Sequence, residues 1–198
     1  MSQNSEFNPT PEVKALLDPD EILRAEFRYA SETSLQVNSD RAQVVNLFLI
    51  LVGGVGSIAL ALSQLAPGEG VQLPPAVYAV VFFIVGLLGL FTIFKLIRLR
   101  QAWHDSVLTM NRIKDFYLAH YPELAPAFRW RTDTIPRLEL VGTITFNLSV
   151  LVALIDSAAV GGGMFFLNLL YPIPFAIGAA AAFFALQAWL YFWLLKRS

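Results

Sequence analysis

The stretch Phe94–Arg137, FKLIRLRQAWHDSVLTMNRIKDFYLAHYPELAPAFRWRTDTIPR, decides the reading of this chain. It is polar and basic, and it lies between two pairs of strongly apolar segments. With 198 residues, 56% of them hydrophobic and 15% charged, the chain is more apolar than soluble domains of its length. Its mean hydropathy is +0.58. The apolar residues fall in runs of about twenty, the length that crosses a hydrocarbon core of roughly 30 Å. The sequence thus predicts an all-α membrane protein with four transmembrane helices. There is no cysteine, so disulfide and thiolate chemistry are excluded.

Outward from that stretch, the predicted order is a loose tail over 1–17, a helix over 18–43 continuous with span one at 44–65, and a turn. Span two follows at 75–95 and runs on as a helix over 96–121. A linker at 122–137 leads to span three at 138–160, a loop at 161–172 and span four at 173–195. Asp18, Pro19 and Glu21 form a helix start: a capping carboxylate, a proline in the first turn and a capping-box acid. No Pro or Gly interrupts Asp20–Val52 or Leu90–Tyr121. Both spans are therefore predicted to leave the membrane as helices. Ala66–Pro74 is a Gly/Pro turn.

Each extension carries a seam in steps of three and four: Leu23, Phe27, Ala30, Ser34, Val37, Arg41, Val44 and Phe48 on the first, and Leu96, Leu99, Trp103, Ser106, Met110, Ile113, Tyr117 and His120 on the second. Matched lengths and seams predict an antiparallel helical hairpin, or stalk, closed at Pro122.

Charge sets the topology. All fourteen Lys and Arg residues fall before span one, between spans two and three, or after span four. The positive-inside rule makes that side cytoplasmic, with both termini inside. In the linker, Phe128, Arg129, Trp130 and Arg131 suit a membrane interface, with rings at headgroup depth and guanidinium groups among anionic headgroups.

Chemistry-bearing residues are few. Asp156 reads as an interfacial acid near the outer end of span three, beside a predicted break at Gly161–Gly163, with Met164–Tyr171 an interfacial or re-entrant segment. Asn147 and Gln187 each lie about 13 Å in from the basic ends of their spans, so they are expected to pair across spans three and four. Gly53, Gly54, Gly56 and Gly178 are expected to permit close packing within the protomer, or else at a subunit interface. His104 and Asp105 diverge on a helix, His120 is far away, and no Walker loop, H-E-x-x-H, G-x-S-x-G or dinucleotide fingerprint occurs. No cofactor, metal or catalytic residue is expected. Eight acids in the N-terminal arm oppose the basic loop, which argues against nucleic acid.

The pattern Glu26-Phe27-x-Tyr29, Glu32-Thr33-Ser34, Asn38-x-Asp40-Arg41, Asn46-x-Phe48, then Trp103 and Met110-Asn111-Arg112-Ile113-Lys114-x-Phe116-Tyr117, resembles small bacterial helical membrane proteins of the SLATT type and the RipA-family octameric membrane proteins. The resemblance spans residues 20–121 and implies a bacterial inner-membrane location and oligomeric assembly. For SLATT proteins it also implies a pore-forming role in nucleotide-signalled defence, although those have two spans. The expectation is a homo-oligomeric scaffold or sensor acting through its cytoplasmic hairpin, with room for a cytoplasmic protein partner. The alternative is a pore-forming effector or channel; the expected lack of a recurring polar face on the spans speaks against it.

Overall fold

The computed structural model describes residues 18–64, 74–167 and 172–197. Among them are four α-helices, α1 (Pro19–Gln64), α2 (Pro75–His120), α3 (Ile144–Leu167) and α4 (Pro172–Lys196), and no strand. Two 3-10 turns, Pro122–Ala127 and Thr132–Thr134, lie between α2 and α3. All four α-helices are long and apolar enough to cross a membrane. The tail at 1–17, most of the Ala66–Pro74 turn and the end of the Met164–Tyr171 segment lie outside the described residues.

α1 and α2 each run 46 residues without a break. At 1.5 Å per residue that is about 69 Å, more than twice a bilayer core. Asp18 caps α1: its Oδ1 accepts the Asp20 N–H at 2.9 Å, satisfying one of the helix's orphan donors. α2 stops where Tyr121, forced out of the helical region by Pro122, takes φ −133°.

The described chain packs as two units, one from residues 18–34 and 105–135, the other from 35–104 and 136–197. The second unit holds the spans. Its core gathers Val45 and Phe48 of α1, Ile93, Leu96 and Ile97 of α2, Val152 and Ala153 of α3, and Tyr191 and Leu195 of α4. In lipid, packing rather than water exclusion holds helices together, so close approach matters. Gly86 and Gly161 provide it: a Cβ on Gly86 would lie 2.5 Å from Val160 Cγ2, and one on Gly161 2.8 Å from the Ala176 carbonyl.

Three expectations change here. α3 begins at Ile144 rather than 138, because Gly142 turns the chain with φ +79° and the Thr143 hydroxyl then accepts the Phe146 N–H at 3.3 Å. α3 does not break at Gly161–Gly163 but continues to Leu167, since these glycines are contact points against α4 and the Phe83 ring. Gly53, Gly54, Gly56 and Gly178 meet nothing within 4 Å, so the close packing falls at other glycines.

Candidate functional site

With α3 running from 144 to 167, Asp156 is the thirteenth of its 24 residues, midway along a span rather than at its outer end. It is fully buried, and the Gln187 amide of α4 donates to its Oδ1 at 3.0 Å. Gly89 of α2 faces it so closely that a Cβ there would overlap the carboxylate. Ser157 approaches the same carboxylate from its own helix. Three helices therefore converge on one acid. Gln187 was expected opposite Asn147; instead Asn147 is exposed, and Gln187 is taken by Asp156.

The acid belongs to a longer polar file. Thr145, Ser149, Val152 and Asp156 follow steps of four, three and four along one face of α3, and Gln187 and Tyr191 lie one turn apart on α4. All are buried. Thr145 Oγ1, Ser149 Oγ, Asp156 Oδ2, Ser157 Oγ, Gln187 Oε1 and Tyr191 OH have no hydrogen-bond partner among the described residues. Among the described residues the one other such atom is Arg41 Nε. Buried polar groups are normally paired, so this concentration marks a place where the fold leaves polar chemistry open. A cavity of about 160 Å³ borders the file, lined by Ile93, Phe146, Ser149, Phe184, Gln187 and Tyr191 among others. By contrast, Ser57 and Thr92 bond back to carbonyls of their own helices, both at 2.8 Å, and are self-satisfied.

At the basic end of the spans, Arg41 of α1 and Arg100 of α2 are 5% and 4% exposed. Arg41 donates to Asn38 Oδ1 at 2.9 Å and to the Leu99 carbonyl at 3.3 Å. Arg100 donates to the carbonyls of Leu138 and Arg137 at 3.4 and 3.3 Å, fixing the chain as it enters the approach to α3. Both guanidinium groups lie over the Trp103 ring, at 5.8 and 4.8 Å from its centroid. Burial, and then Arg100, pull Arg41 down to about 10, which leaves it cationic at neutral pH.

No protein-family model matches this chain, and no curated protein or solved structure matches it.

In the first unit, the Tyr117 hydroxyl of α2 donates to Asp20 Oδ1 of α1 at 3.2 Å, joining the far ends of the two helices. Leu23, Arg24, Phe27, Ile113, Tyr117 and Phe128 help to line a crevice of about 240 Å³. Of the seam residues, Val37, Leu96 and Ile113 are buried, while Leu23, Phe27, Trp103, Met110 and Tyr117 are half-buried. The linker packs on α2: Lys114 Nζ donates to the Trp130 carbonyl at 3.4 Å and Thr132 Oγ1 to Asp115 Oδ2 at 2.5 Å. Phe128 is half-buried, whereas Arg129, Trp130 and Arg131 are exposed, with the Arg129 guanidinium 5.9 Å from the Trp130 ring centroid. The His120 ring Nδ1 pairs with the Phe116 carbonyl at 2.9 Å. Among the described residues, no three His, Cys, Asp or Glu side chains gather as a metal site.

The residues that sequence reading missed are Thr145, Ser149, Ser157, Tyr191 and Gly89. The one signal on α3 is the 4-3-4 spacing of Thr145, Ser149, Val152 and Asp156, hidden by placing the acid at the end of its span.

Proposed function

We propose that this chain is a multi-pass protein of the bacterial inner membrane, with both termini cytoplasmic, that works as a homo-oligomeric scaffold or sensor through its helical hairpin. The observation that supports this most is the apolar surface left open on residues 18–34 and 105–135. Tyr29, Phe116 and Trp130 are 66%, 50% and 61% exposed, and Ile22 and Tyr121 are also exposed. A patch of that kind on an aqueous helix marks an interaction surface. Exposed acids on α1 (Glu21, Glu26 and Glu32) and exposed bases in the linker (Arg129 and Arg131) give the unit both signs of charge, which makes a second copy of the chain a fitting occupant. In the spans, Gly53, Gly54 and Gly56 leave the α1 backbone open to a neighbour. The basic side is cytoplasmic on charge grounds. Mass measurement of the purified full chain in detergent tests the reading. The wild type is expected as one defined oligomer, and Tyr29→Asp with Phe116→Asp as a smaller species; a monomeric wild type, or an unchanged mass in the variant, overturns it.

A second reading, a channel or pore-forming effector, draws support from the polar file on α3 and α4. That file is a recurring polar face, the feature whose expected lack speaks against a pore. Liposomes holding the purified chain, with and without candidate nucleotides, distinguish the two: sustained ionic conductance favours the pore.

A further inference from the structure

We propose that Asp156, Gln187 and Ser157 form a site for one monovalent alkali cation within the spanning bundle. This does not rest on the hairpin reading. The carboxylate is fully buried midway along α3. The Gln187 amide spends its N–H on Asp156 Oδ1, which leaves Gln187 Oε1 as an acceptor without a partner. Asp156 Oδ2 and Ser157 Oγ are also unpartnered. The site therefore offers oxygen donors alone, the ligand type that hard cations take. Its charge count selects the valence: one carboxylate matches a single positive charge, and no cluster of three acids or histidines lies among the described residues to hold a divalent ion.

What faces the carboxylate is Gly89 from α2 and Gln187 from α4. Farther along the file is Tyr191 on α4, with Arg100 of α2 and Arg41 of α1 as its charged neighbours. Gly89 carries no side chain at the point where a Cβ would overlap the acid. A mainly apolar cavity of about 160 Å³ reaches Gln187, the residue that holds Asp156, from the side of Ser149 and Tyr191. Loading is an exchange in which the carboxylic acid releases its proton and the carboxylate takes up the cation, so charge balances. An uncompensated carboxylate in a bilayer interior is costly, and either partner removes that cost.

Thermal unfolding of the full chain in detergent, with sodium chloride replacing choline chloride at fixed ionic strength, tests this. A cation held by the folded state raises the wild-type Tm by about 3 °C at ten times its dissociation constant. In weak buffer, about one proton leaves per cation bound, by the exchange above. Asp156→Asn abolishes both effects and Ser157→Ala weakens them. If Asp156→Asn does not fold, the wild-type comparison and Ser157→Ala carry the test. A wild-type Tm equal in sodium, potassium and choline overturns the proposal, as does a sodium shift that survives Asp156→Asn. A Tm that follows pH but not the cation also overturns it, and makes Asp156 a proton-holding structural acid.

Discussion

The Gln187 amide donates a 3.0 Å hydrogen bond to Asp156, and neither residue exposes more than 1% of its surface. The bond ties α4 to α3 at the point where α2 presents Gly89. A polar contact in hydrocarbon gives direction to helix packing that dispersion alone lacks, at about 0.6–2 kcal/mol.

Gln187→Leu removes the donor and leaves the buried acid unsupported, so it lowers stability by about 1–3 kcal/mol. Asn147→Leu, on an exposed position of α3, stays within about 0.5 kcal/mol of the wild type. Reversible denaturation in mixed micelles ranks the two. Equal losses at both positions contradict the pairing found here.

Gly89→Ala and Gly53→Ala form a second contrast. A methyl group at position 89 overlaps the Asp156 carboxylate, whereas one at position 53 meets nothing within 4 Å. Overpacking costs about 1–3 kcal/mol; a helical Gly→Ala in open space gains up to about 1 kcal/mol. Opposite signs of ΔTm are expected in detergent thermal scans.

Near the end of α2, Tyr117 holds its proton more tightly than a free tyrosine, through loss of hydration first and the neighbouring Asp20 carboxylate next. A raised pKa in the folded state gives a contribution that is present below the ordinary tyrosine range and lost as pH rises through the folded value. The stability difference between wild type and Tyr117→Phe therefore stays constant below about pH 10 and shrinks above it. Paired denaturation curves at neutral and alkaline pH show whether it does.

Asp18→Ala deletes the cap on α1 and costs the helix about 1 kcal/mol. Because the cap acts on the first turn, amide exchange accelerates at Asp20–Ile22 and not in the spans. Uniform acceleration along α1 contradicts a local role.

Much of this architecture was legible because the signals are local. Asp18-Pro19 starts a helix and Pro122 ends one by backbone chemistry alone. The eight positions from Leu23 to Phe48 read as one face of α1, and each is buried or half-buried. The intramembrane site was not legible, for two physical reasons. Counting from span ends gives depth but not rotation, and Asn147, two residues from both Thr145 and Ser149, points away from their face. The glycines at 161–163 mimic a break, and starting the span at 138 instead of 144 misplaces Asp156 by six residues, about 9 Å of helix. Only three-dimensional contact shows that those glycines serve packing.

The hairpin on the basic side is proposed to face the cytoplasm. A chain without cysteine makes the measurement clean. Tyr121→Cys places a single thiol at an exposed position just beyond α2. Labelling with a membrane-impermeant maleimide is then compared in right-side-out and inside-out membrane vesicles. Labelling is expected in inside-out vesicles alone; labelling of intact right-side-out vesicles would place the hairpin outside.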